Sequence, residues 1–165
     1  MKEFDIIYQE YAEKLYKFTV KLCGDSHIAE DIVQTTFLKA FESADKFKGN
    51  CQVYTWLCTI ARNEYFNYIK RKDNKNISSD ETPEISDDES IYKSLEDKEQ
   101  SMIIHKAIHL MNEPYREILT LRIMGELSFS QIGCVFDKSE NWARVTFFRA
   151  KNKLVELLKE DNYEL

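Results

Sequence analysis

Apolar side chains return every third or fourth residue from Phe4 to Leu22, and the same rhythm resumes after each break in the chain. That spacing is the period of a helix with one buried face. Only four Gly and two Pro interrupt the 165 residues, too few for the many tight turns of a sandwich or barrel. The expected fold class is all-α.

In the first of these helices Phe4, Ile7, Tyr8, Tyr11, Leu15, Phe18 and Leu22 share one face, and Gly24 is placed to end it. Asp25 or Ser26 can cap the next, whose apolar side holds Ala29, Val33, Phe37, Ala40 and Ala44. Asp31, Gln34, Thr35 and Leu38 project from another face, a polar and apolar mixture that suits a protein partner. After a turn at Phe47 to Gln52, a third helix runs from Val53 to Lys72. Its core stripe is Leu57, Ile60, Ala61, Tyr65 and Tyr68, while Thr59, Arg62, Asn63, Phe66 and Lys70 form a second stripe. A ring among cations and an amide suits unpaired nucleic acid, where a base stacks and phosphates meet charge. A solvated helix face with one exposed Phe accounts for the same pattern.

The formal charge of −6 argues against an anionic partner until the chain is divided. Residues 1–72 carry 11 basic and 10 acidic groups, residues 73–98 carry 3 and 9, and residues 99–165 carry 9 and 10. The middle stretch is rich in Asp, Glu, Ser and Asn and poor in large apolar residues, so burial cannot offset the entropy of ordering it. The expected organisation is therefore two small helical domains, 1–72 and 99–165, joined by a flexible acidic linker, 73–98. Basic residues cluster at Arg62, Lys70, Arg71 and Lys72, and again at Arg144, Arg149, Lys151, Lys153 and Lys159. Helix faces of this kind meet phosphate, although cations also favour a helix C-terminus through its dipole.

Beyond the linker, Met102, Ile103, Ala107, Ile108, Leu110 and Met111 predict a helix that stops before Pro114. Pro114 starts another, with Ile118, Leu119, Leu121 and Ile123, which Gly125 ends. Ser128 to Phe136, a short turn, and a long periodic run to Leu158 then read as a helix-turn-helix with a basic second helix. Ala143, Phe147, Ala150, Leu154 and Leu158 are spaced to pack inward, leaving Asn141, Arg144, Val145 and Phe148 outward. Asn pairs with adenine, Arg with guanine, and an apolar side chain meets the thymine methyl. Amphipathic helical hairpins without DNA show the same spacing.

Other classes find little support. The sequence has no phosphate loop, HExxH or nucleophile elbow, so no enzyme is expected, nor any cofactor. His105 and His109 lie four apart, but no third metal ligand at suitable spacing accompanies them, and no metal is expected. The longest apolar runs fall far short of the roughly 20 residues that span a bilayer, so no membrane insertion is expected. Cys23, Cys51, Cys58 and Cys134 lack CxxC spacing, and Met1 to Glu10 lacks the pattern of a secretory segment. Reduced thiols in a cytoplasmic protein are the expectation.

Three segments together carry a family resemblance. Residues 29–41 (AEDIVQTTFLKAF), 56–63 (WLCTIARN) and 139–151 (SENWARVTFFRAK) resemble, in order, motifs of bacterial sigma-70 factors of the extracytoplasmic-function (ECF) group. The resemblance implies that the chain binds core RNA polymerase and directs promoter-specific initiation, with region 2 in the first domain and region 4 in the second. It implies core-polymerase contacts at Asp31, Gln34, Thr35 and Leu38. It implies minus-10 DNA contacts at Gly49, Asn50, Cys51 and Gln52, which would hold a flipped base, and at Arg62, Asn63, Phe66, Asn67, Lys70 and Arg71 along the opened strand. Minus-35 duplex contacts fall on Asn141, Trp142, Arg144, Val145, Phe148, Arg149 and Lys151. Promoter DNA and an anti-sigma factor are the further partners it implies. The chain departs from the family pattern at Asn67, Gln131, Gly133, Asp137 and Trp142. A dimeric helix-turn-helix regulator that works without polymerase is the alternative.

Overall fold

The computed structural model describes residues 2–74 and 93–160, and every element among them is a helix or helical turn. The chain divides into two compact units, 1–84 and 85–165. Of the expected linker, residues 75–92 lie outside the described residues, 73–74 close a helix and 93–98 open the next.

The first unit is a three-helix bundle of α1 (Lys2–Cys23), α2 (Ser26–Glu42) and α3 (Val53–Asn74), each packed on the other two. Gly24, at φ +69°, breaks the chain after α1 and donates its N–H to the Val20 carbonyl. Asp25 then caps α2, accepting from the backbone N–H of His27 at 2.8 Å and of Ile28 at 3.0 Å. These two residues set the antiparallel turn. Leu15, Phe18, Leu22, Ile32, Val33, Phe37 and Leu57 fill the core, while buried Thr19 and Thr36 return their hydroxyls to carbonyls four residues back. Ala44, expected on the core side of α2, is exposed, because the helix has ended and a 3₁₀ turn (Ala44–Lys46) has begun.

In the second unit α4 (Lys93–Leu110) leads to α5 (Tyr115–Leu119), which Pro114 opens. The next turn, Thr120–Met124, widens to a π-helix, so the Gly125 N–H reaches back five residues to Thr120. The extra residue displaces the break. Gly125, expected to end the helix, remains right-handed, and Glu126 takes the left-handed conformation at φ +55°. Ile118, Leu119, Leu121, Leu127, Ile132, Ala143 and Ala150 make the core, whereas Leu110 and Ile123 are exposed despite their apolar spacing.

α6 (Phe129–Phe136) and α7 (Glu140–Glu160) form the helix-turn-helix. Ser128 and Gln131 exchange two hydrogen bonds in a capping box at the start of α6. Gln therefore serves at position 131 as Glu would. Asp137 occupies the turn at φ +54°, and the Lys138 N–H donates to the Gly133 carbonyl at 2.8 Å. A Cβ on Gly133 would stand 2.7 Å from the Lys138 carbonyl oxygen and 2.9 Å from that of Ser139. Glycine is thus required where α6 meets its own turn. Ser139 then caps α7, accepting from the Trp142 N–H at 3.0 Å.

Candidate nucleic-acid and protein interface

α2 is fixed by its buried side, so the face opposite is presented to solvent as a consequence of the core. Asp31 and Gln34 are exposed, Thr35 is half-buried, and Leu38 and Phe41 are 58% and 53% exposed. Two large apolar groups beside a carboxylate and an amide form a surface that this unit itself does not cover. A cleft of about 370 Å³ runs along α2 and α3, lined by Asp31, Thr35, Lys39, Glu64, Tyr68 and Arg71 among others. Within it Lys39 and the buried Glu64 pair at 2.5 Å, tying the two helices together.

The loop before α3 is held by Phe47, whose ring lies 4.7 Å from that of Trp56. Gly49 turns the backbone at φ +68° with open space around it, and Gly49, Asn50 and Gln52 are exposed while Cys51 is half-buried. Along α3, Asn63, Asn67, Lys70 and Arg71 are exposed and Phe66 is half-buried. These positions do share one strip.

Arg62 does not join it as the spacing suggested: it is 8% exposed. Its Nη1 donates to the Asn63 Oδ1 at 3.0 Å, and its guanidinium lies 4.8 Å from the centre of the Phe66 ring. Glu64 and Thr55 are buried as well, while the expected core residues Ile60, Tyr65 and Tyr68 are only half-buried. Burial pushes the Tyr65 hydroxyl above its ordinary range, so the ring stays neutral. The thiols of Cys23 and Cys58 are free and burial pushes both up to about 12. The reduced reading is met at those two.

On α7, Asn141, Arg144, Val145, Phe148, Arg149 and Lys151 are exposed, Val145 by 40% and Phe148 by 52%. Trp142 turns away from that strip and packs on Phe136 of α6 at 5.1 Å. Phe147, expected inward, is half-buried and touches Phe129 at 5.5 Å. Arg144 is paired with Glu140 at 2.9 Å, both side chains about half exposed, and its guanidinium lies 5.5 Å from the Phe129 ring. An exposed pair at this spacing contributes about 0.3–0.5 kcal/mol, against about 1–3 kcal/mol for a good bidentate contact to guanine. A base can therefore take Arg144 from Glu140.

Among the described residues no helix is long and apolar enough to cross a membrane, and no group of three or more His, Cys, Asp or Glu is placed to hold a metal ion. His109 contributes its backbone carbonyl to Arg116, and burial holds the His105 pKa below its ordinary value.

Two such units, one displaying an aromatic and amide strip and the other a helix-turn-helix, present the surfaces by which a helical protein can meet nucleic acid. Family models agree, with sigma-70 region 2 matching residues 7–75 and sigma-70 region 4 matching residues 101–154, together about three quarters of the chain. The RNA polymerase sigma-H factor of Pseudomonas aeruginosa is 28% identical over 96% of this chain and 87% of its own length. The ECF RNA polymerase sigma factor SigM of Bacillus subtilis is 27% identical, covering 91% of each. Among solved structures, the sigma factor RpoE of Bartonella quintana, crystallised with the anti-sigma factor NepR, superposes with a TM-score of 0.63 at 25% identity, over 96% of this chain and 98% of that one. The chain belongs to the sigma-70 family of RNA polymerase sigma factors.

Proposed function

We propose that the family activity is divided among three surfaces of this chain. Asp31, Gln34, Thr35 and Leu38 on α2 meet core RNA polymerase: the carboxylate accepts from a basic side chain, the amide donates and accepts, and Leu38 with Phe41 supplies apolar area. Gly49, Asn50, Cys51 and Gln52 receive a base flipped from the minus-10 element, and Asn63, Phe66, Asn67, Lys70 and Arg71 line the opened non-template strand. Binding drives the melting, because a surface that prefers single strands shifts the duplex equilibrium without hydrolysing anything. No catalysis by the chain itself is needed. Asn141, Arg144, Val145 and Phe148 read the minus-35 duplex, Arg149 and Lys151 meet phosphates, and Trp142 braces α7 against α6.

The domains are 1–72 and 99–165, with 73–98 as their acidic tether, and the protein works in the cytoplasm where polymerase is. An anti-sigma factor is the expected inhibitor, since a similar sigma factor is held by one. The observation that carries this reading is the exposure of Arg144, Val145 and Phe148 on the second helix of a helix-turn-helix, in a chain that also carries region 2. Run-off transcription with core polymerase tests it, with specific initiation from candidate promoters expected. Absence of both initiation and core binding, with a gel shift on a two-fold operator by the protein alone, would establish the dimeric regulator instead.

A further inference from the structure

We infer that Arg62 is a positioning residue for its neighbours Asn63 and Phe66 and makes no phosphate contact of its own. The inference rests on the reading of α3 as the helix that holds the opened minus-10 strand. Arg62 is 8% exposed, so its charge does not lie where a strand on the helix surface would run. Two of its contacts go to that surface. Nη1 donates to the Asn63 Oδ1 at 3.0 Å, and the guanidinium lies 4.8 Å from the centre of the Phe66 ring one turn on.

Each contact removes a freedom. With its oxygen engaged, the Asn63 amide turns its two N–H donors away from Arg62 and toward solvent, where base-edge acceptors would be. The guanidinium and the Tyr65 ring, 5.5 Å away, both neighbour Phe66, leaving the ring fewer orientations in which to meet a base. Only a planar cation does both at once, lying near a ring while directing one N–H at a fixed acceptor. A phosphate would have to draw Arg62 out of these contacts and out of its buried position. The expected gain is order before binding, not added charge.

The holoenzyme, titrated with a labelled single-stranded oligonucleotide carrying the non-template minus-10 sequence of a promoter found by run-off, separates these roles over a salt series. Phe66→Leu is expected to weaken binding, and Arg62→Gln to weaken it about fivefold with the salt slope unchanged. The double variant is expected to be no weaker than Phe66→Leu by more than about twofold, because the two residues act as one. A slope smaller by about 0.7 in Arg62→Gln would mean a lost phosphate contact and overturn the inference. Full additivity with Phe66→Leu would overturn it equally. Should Arg62→Gln fold poorly by its melting curve, Arg62→Lys, which keeps an aliphatic stem in the buried site, is compared in the same way, and full wild-type binding by it overturns the need for a planar group. Wild-type binding by Phe66→Leu would instead defeat the strand-binding reading of α3, and this inference with it.

Discussion

Arg62 on α3 and Arg144 on α7 are the same side chain on two amphipathic helices, yet the first is 8% exposed while the second has a side chain half in solvent. Their surroundings differ in kind. Arg62 is held by an amide and a ring of its own helix, whereas Arg144 has an exposed carboxylate one turn back as its ion-pair partner. Opened strands offer flat bases and reward a rigid stacking platform, so on α3 the cation is best used behind the surface. A duplex groove offers fixed acceptors at its base edges, so the reading proposed for α7 falls to a cation that is cheap to release.

The largest effects should come from breaking either unit by itself. Leu57 and Ile118 are fully buried, one in each unit, and alanine at either is expected to cost about 2–5 kcal/mol. Each unit also contains one tryptophan, Trp56 or Trp142, so urea unfolding followed by fluorescence in Trp142→Phe and Trp56→Phe backgrounds reports them separately. Leu57→Ala should shift only the Trp56 signal and Ile118→Ala only the Trp142 signal. A common shift would merge the two regions into one cooperative body.

Gly133→Ala is expected to cost the second unit about 1–3 kcal/mol, since the new methyl meets two backbone carbonyls that cannot swing aside. The same urea curves check it, and an unchanged Trp142 transition would show that the turn yields. Comparable in size is a reciprocal pair measured by binding. Arg144→Ala should weaken minus-35 duplex binding by about 1–3 kcal/mol with core-polymerase affinity intact, and Asp31→Ala should weaken core binding by about 1–2 kcal/mol with duplex binding intact. Equal losses in both assays would erase the division of labour between the regions.

The smallest effect expected is one of pH. Burial holds the folded-state pKa of His105 below its reference value of 6.5, so below that pH the unfolded chain takes up a proton that the folded unit does not. The stability concerned is present above about pH 6.5 and is lost as the pH falls toward and through the depressed folded value. Melting of the second unit between pH 7.5 and 5.5 should show it, and His105→Leu should flatten that slope.

Much of the architecture could be read from single residues. Gly24 and Asp25 mark the first corner because one tolerates a positive φ and the other accepts two N–H groups, and both act locally. Ser128 with Gln131 is legible for the same reason. The outward set on α7 follows from the helical period, with Trp142 as the exception: an indole at a polar position finds Phe136 across the turn, a neighbour that periodicity on one helix does not reveal. On α3 the period misassigned Arg62 because the long stem of an arginine can be buried while its head finds a partner nearby. Glu64 went unnoticed because its partner, Lys39, is 25 residues away on another helix. At Gly125 the π turn added a residue that no local pattern announced.

The close approach at Gly133 bears on how new promoter preferences can arise by exchange of parts. Moving the segment 139–151 alone into a related protein that has a larger residue at the matching site would leave the transplanted helix tilted, since its entry angle is set by carbonyls pressed against a bare α-carbon. The smallest portable module begins at Ser128, where the capping box opens, and carries Gly133 and Asp137 along with α7.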